Sequence, residues 1–127
     1  MREILFRGKR KDNGEWVKGS FWDEIPNELG GIAQYGSCVF HHIDLATVGQ
    51  FTGLTDKNGK KIFEGDIIEW FLPEVSEYPS LAYIEYDESS FAWRVCWQKY
   101  DPDWLEGMQS QYITVIGNIF DNKDLLS

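Results

Sequence analysis

The chain has 127 residues, and twelve basic against twenty-one acidic side chains give it a formal net charge of −9. That surplus of carboxylates excludes general adhesion to phosphate backbones or to anionic membrane surfaces, both of which depend on Lys and Arg. A composition that is 43% hydrophobic and 16% aromatic excludes a disordered tail and predicts one folded domain over residues 1–127 with a substantial core.

In chain order the sequence predicts strands and turns. The opening, MREILFRGKRK, is too charged for the apolar region of a signal peptide. No later stretch reaches the roughly 20 apolar residues that cross a bilayer. A cytoplasmic protein is therefore expected, with its two cysteines, Cys38 and Cys96, reduced. Glu3 to Arg7 places Ile4 and Phe6 on one side of a strand and Glu3, Leu5 and Arg7 on the other. The turn Lys11-Asp12-Asn13-Gly14 follows, where Asn-Gly supplies positive φ angles for a tight hairpin, and Glu15 to Phe21 returns as the second strand. Asp23 to Gly31, with Pro26 and a Gly-Gly pair, is a loop. Ile32 to Tyr35, Cys38 to Ile43 and Thr47 to Phe51 are short strands, the last interrupted by Gly49.

Asp56 to Lys60 repeats the chemistry of the first turn, and Ile67 to Leu72 is a strand that Pro73 ends. Past a loop bounded by Pro73 and Pro79, Leu81 to Tyr86 alternates as a strand. After Asp87 to Ser90, Phe91, Trp93, Val95 and Trp97 share one face of the next strand and Ala92, Arg94 and Cys96 the other. Lys99 to Met108 is a loop, Tyr112 to Ile116 a last strand, and Asp121 to Leu126 one short helical turn. No window carries the 3.6-residue period of a long helix, so the fold class is mainly β, a β-rich α+β arrangement of antiparallel strands with short helical pieces.

Three phrases carry a family resemblance: Arg2-Glu3-Ile4-Leu5-Phe6-Arg7 at the start, QFTGLTDKNGKKIFEGDI from Gln50 to Ile67, and VIGNIFDN from Val115 to Asn122. Their long, specific central segment resembles the signature of the YopX-like proteins of bacteriophages and prophages. The phrases span nearly the whole chain, leaving Ser20 to Ala46 and Pro73 to Met108 unspecified. The resemblance implies a YopX-like fold of coiled or bifurcated antiparallel sheets and a phage or prophage context, hence the cytoplasm of a bacterial host cell, and it implies no particular activity.

The motif residues are Gln50, Thr52, Gly53, Asp56, Asn58, Gly59, Glu64, Gly65, Asp66, Gly117 and Asn118. Their structural reading is turn chemistry: Gly53, Gly59 and Gly65 take backbone conformations costly for other residues, Asp56 and Asn58 bond local amides, and Asp66 caps a turn. The functional reading is an exposed recognition loop at Asp56 to Lys61. Asp56-x-Asn58-Gly59 has too few ligands, and too many lysines beside it, for a calcium loop. His41 and His42 are adjacent, so on a strand they face opposite ways and share no metal easily. Cys96, facing away from Trp93 and Trp97, reads as a small buried hydrophobe. No catalytic residue, metal site or cofactor is assigned.

The aromatics are the remaining signal. Phe91, Trp93 and Trp97 read as core or inter-sheet contact, whereas Trp16, Trp22, Trp70 and Trp104 add more area than a core of this size hides. The first expectation is a binding module for a host or phage protein, forming a homo-oligomer and touching no membrane. The second is a nucleic-acid module using basic turns at Arg7 to Lys11 and Lys57 to Lys61, disfavoured by the overall charge. An enzyme of unspecified reaction comes third.

Overall fold

The computed structural model describes residues 4–22, 31–34 and 40–126, with side chains for 4–21, 31–33 and 41–126. Cys38 and the expected loop from Asp23 lie outside the described residues, apart from Gly31, which begins a strand. The protein is mainly β. Among the described residues the strands form two antiparallel sheets, and the helical pieces are single 3-10 turns. The chain divides into two compact units, Met1–Phe51 and Thr52–Ser127.

The first unit contains β1 (Phe6–Lys9), β2 (Trp16–Trp22), β3 (Gly31–Gln34), β4 (Phe40–His42) and the start of β5 (Gly49–Thr55), in the order β4-β3-β2-β1-β5. β1 and β2 form the expected hairpin, Phe6 opposite Gly19 and Lys9 opposite Trp16. Its turn differs in detail from the Asn-Gly expectation. Gly14 alone takes a positive φ, 74°, while the Asn13 side chain accepts the Glu15 N–H at 2.9 Å. The inward face at the start is that of Leu5 and Arg7, and Ile4 is 61% exposed. Arg7 tolerates burial because its guanidinium lies 4.8 Å from the centre of the Trp16 ring.

Val17, Ile32 and Ile43 form the core of this unit, with Phe6, Phe21 and Val48 against them. Leu45–Thr47 is a 3-10 turn, where Thr47 was expected to open a strand. Local bonds decide it: Asp44 accepts the Ala46 N–H at 3.1 Å, and the Thr47 hydroxyl donates to the Asp44 carbonyl at 2.6 Å. Gly49 begins β5 and does not interrupt it.

The second unit holds the rest of β5, then β6 (Lys61–Phe63), β7 (Asp66–Trp70), β8 (Ser80–Asp87), β9 (Ala92–Trp97), β10 (Asp103–Trp104) and β11 (Ile113–Asn118). Five of these form a sheet in the order β10-β9-β8-β7-β11. Ala82, Ile84, Trp93 and Val95 point inward from β8 and β9, as their period of two dictates, and join Ile62, Ile68, Ile113 and Val115 in the core. Two corrections concern this core. Phe91 is 82% exposed at φ 52°, so it belongs to the turn before β9 and packs no core. Leu105 is wholly buried, held by a 3-10 turn, Leu105–Gly107, inside the stretch expected to be a loop.

Candidate functional site

The family motif is divided by the fold. Gln50 lies in the first unit, half-buried and opposite Phe6 of β1. From Thr52 onward the motif belongs to the second unit, where the side chains of Thr52, Asp56 and Asp66 bond backbone groups. Thr52 Oγ1 donates to the Ile62 carbonyl at 2.8 Å and accepts the Leu54 N–H at 3.2 Å. The Asp56 carboxylate, 4% exposed, accepts three N–H groups: Asn58 at 2.8 Å and Lys60 at 2.9 Å through Oδ1, and Val115 at 3.0 Å through Oδ2. The Lys57 N–H donates to the Ile113 carbonyl at 2.9 Å. Central motif and C-terminal phrase are thus joined by backbone bonds on which Asp56 is the pivot. Burial pushes its pKa up, but the donors from Val115, Lys60 and Asn58, with the Lys60 charge, outweigh that and hold it below the ordinary value. Asn58 enters this ring through its backbone N–H.

The second half of the motif is more internal than the first, whose turn from Lys57 to Lys60 is exposed. Asp66 is 1% exposed, and its Oδ2 accepts the Phe63 N–H at 2.7 Å, bracing the tight turn through Glu64 and Gly65. Gly53, Gly59 and Gly65 have φ of 89°, 78° and 89°. Gly65 donates its N–H to the Ile84 carbonyl and accepts from Ile119, at 2.8 and 2.9 Å. Asn118 Oδ1 accepts the N–H groups of Phe120 and Asp121, while Asn122 Oδ1 accepts the Asn118 N–H. Gly117 makes room for Asn122, whose Oδ1 would lie 2.5 Å from any added Cβ.

On the face of β8 and β9 opposite the core, Arg94 pairs with Glu85 at 2.8 Å, and the Tyr83 hydroxyl donates to Glu85 at 3.4 Å. Cys96 joins this set, its Sγ 3.8 Å from Glu85. It is half-buried among polar groups, which corrects its reading as a buried hydrophobe. Burial, then the Glu85 charge, pushes the thiol up and so away from thiolate chemistry.

An open surface survives at one end of the five-stranded sheet. The β7–β8 connection, 71–79, and the β9–β10 connection, 98–102, emerge side by side, because Trp70 pairs with Ser80 and the Gln98 N–H donates to the Leu81 carbonyl. Between them lies a groove of about 380 Å³ whose lining includes Trp70, Leu72, Trp97 and Asp103. Two of these walls are fixed: Trp70 packs edge-on against Tyr112 at 5.4 Å, and the Trp97 indole N–H donates to Asp103 at 2.9 Å. Its rim is bare: Val75, Tyr78 and Tyr100 are 77%, 75% and 68% exposed. Ser76 ties its own turn by donating to the Tyr78 carbonyl at 3.0 Å. Three of the chain's four prolines, Pro73, Pro79 and Pro102, stand in or beside these loops. Sequence reasoning placed surplus aromatics on the surface but not Tyr78 or Tyr100, because loop tyrosines carry no period.

Among the described residues, no helix is long and apolar enough to cross a membrane. Three chains of solved structure match this one. One is protein EF1440 from Enterococcus faecalis, whose crystal structure is similar at a TM-score of 0.61 and 25% identity over 100% of both chains. No curated protein matches. The model of the YopX protein family matches residues 5–127, so the chain belongs to that family.

Proposed function

We propose that this is an accessory protein of a bacteriophage or prophage that acts in the cytoplasm of the bacterial host by binding another protein, of host or phage origin. The groove of the second unit is its binding surface. The observation that carries this reading is the exposure of Val75, Tyr78 and Tyr100 over a floor of fixed tryptophans. Bare apolar side chains in a cluster mark partner surfaces, and Trp and Tyr are the residues that most often supply binding energy there. The prolines favour the reading too, since a pre-set loop loses less entropy on binding.

Wild type and a Tyr78→Ala/Tyr100→Ala variant, each immobilised, are compared in pull-downs from host lysate with and without nuclease. A protein retained by wild type after nuclease and lost by the variant supports the proposal. Loss on nuclease treatment transfers the function to nucleic acid, and equal capture by both moves the interface elsewhere. Light scattering tests the homo-oligomer expected from the aromatic surplus, and dissociation in the variant would make the groove a self-interface.

A further inference from the structure

The groove continues past its tyrosines. A second hollow of about 210 Å³, with Pro79, Leu81 and Lys99 in its lining, shares Ser76, Tyr78, Ser80 and Tyr100 with the first. The two therefore form a trough with paired tyrosines between its sockets. A trough of this kind suits an extended chain that sets successive side chains into successive sockets, and proline-rich segments enter aromatic-lined grooves with little entropy left to lose.

Charge narrows the occupant further. The two loops and the start of β10, residues 71–79 and 98–104, carry Glu74, Glu77, Asp101 and Asp103 against Lys99 alone. Of these, Asp103 alone lines the first hollow and Lys99 alone the second, while Glu74, Glu77 and Asp101 stand in the surrounding loops, so the trough has an acidic end. Aromatic faces beside carboxylates are the setting in which a guanidinium is held by stacking and ion pairing together. A second copy of this chain, at a net charge of −9, or a phosphate backbone would meet like charge here.

From this geometry we infer that the groove takes an extended, proline-bearing segment of a partner protein with arginine or lysine seated toward Asp103, an inference that rests on the binding-module reading above. The probe is a labelled peptide of repeating Pro-Pro-Arg, followed by fluorescence anisotropy. Repeating Gly-Gly-Arg and Pro-Pro-Glu peptides serve as controls. Wild type binds Pro-Pro-Arg and neither control comparably. Tyr78→Ala/Tyr100→Ala weakens binding about tenfold or more, the usual consequence of truncating aromatic anchors. Glu77→Gln/Asp101→Asn weakens it less, and added salt weakens wild type more than this charge variant. All these side chains are exposed, apart from those of the floor, so the variants keep the fold.

Equal binding of the arginine peptides with and without proline, or binding indifferent to the tyrosine variant, overturns the inference. So does the absence of any peptide binding, or an oligomer that the tyrosine variant dissolves. If the peptides fail while the tyrosine variant still loses a protein from lysate, only the peptide chemistry falls. If that capture is also unchanged, the binding-module reading falls with it.

Discussion

Asp56→Asn tests the pivot of the second unit. The carboxylate accepts N–H groups from Asn58, Lys60 and Val115 at 2.8, 2.9 and 3.0 Å. In the variant, the amide oxygen can still accept from Asn58 and Lys60 in the exposed turn, but its NH₂ then faces the Val115 N–H in buried β11. A charge-assisted bond is lost and a buried donor is left unmet, together about 2–3 kcal/mol. Urea unfolding of both proteins at neutral pH, with amide exchange at Val115, measures the gap. Its pH dependence follows from the lowered pKa. A carboxyl whose folded value lies below its unfolded one stabilises the fold above the unfolded value, 3.8, and that stability is lost as pH falls through the folded value. The gap therefore stays constant from neutral pH down to about 5, then narrows below about 4 as wild type loses its advantage. A gap under about 0.5 kcal/mol at neutral pH, or one that does not change on acidification to pH 3, refutes the reasoning.

Further substitutions probe close approaches, backbone strain and core packing. Gly8→Ala puts a Cβ 2.7 Å from Ile43 Cδ1 in a closed core, at a cost of about 1–3 kcal/mol; Ile43→Val removes that atom, so a double-mutant cycle by denaturant unfolding recovers a large part of the cost. Gly117→Ala drives a Cβ into Asn122 and opens the 118–122 turn, destabilising by a similar amount; amide exchange at Asn118 and Phe120 rises in this variant and not in Gly107→Ala, whose Cβ meets open space without a positive φ. Phe91→Asn relieves a positive φ at an exposed site and raises the unfolding midpoint, worth about 0.5–1 kcal/mol, whereas Trp93→Ala costs about 3–5 kcal/mol. A loss of stability in Phe91→Asn would return that ring to the core.

Legibility in the sequence follows the physics of each element. The runs over Leu81 to Tyr86 and Trp93 to Trp97 were plain because one face of each is buried and alternation records it. Phe91 fits the same alternation but lies one residue past the pairing, where the backbone turns over, and no period reports a change of φ. Leu105 was hidden for the opposite reason: a single buried leucine in a 3-10 turn has no neighbours at a repeating interval. Thr47 opens the expected strand to Phe51, but bonds with the nearby Asp44 draw it into a turn, and such local bonds leave no periodic trace in the sequence. Cys96 was read from its face alone; what fills that face, Glu85 and Arg94 at their cross-strand positions, depends on register.

The two surfaces differ in what a signature can record. Asp56, Asp66 and Asn118 each meet a specific backbone group, and each such demand fixes a residue type at one position, which is why the phrases containing them are recognisable as sequence. The groove makes no such demand on the fold. Val75, Tyr78 and Tyr100 are bare, and the β7–β8 and β9–β10 connections hold their shape through prolines and the Ser76 turn rather than through the rings themselves. They lie in Pro73 to Met108, the stretch that the family phrases leave unspecified. A frame secured by internal hydrogen bonds leaves its loops free to vary with a partner. Strong family membership therefore sits beside weak functional information in one chain: the residues that identify the family hold the scaffold, and those of the proposed binding groove are the ones the scaffold does not constrain.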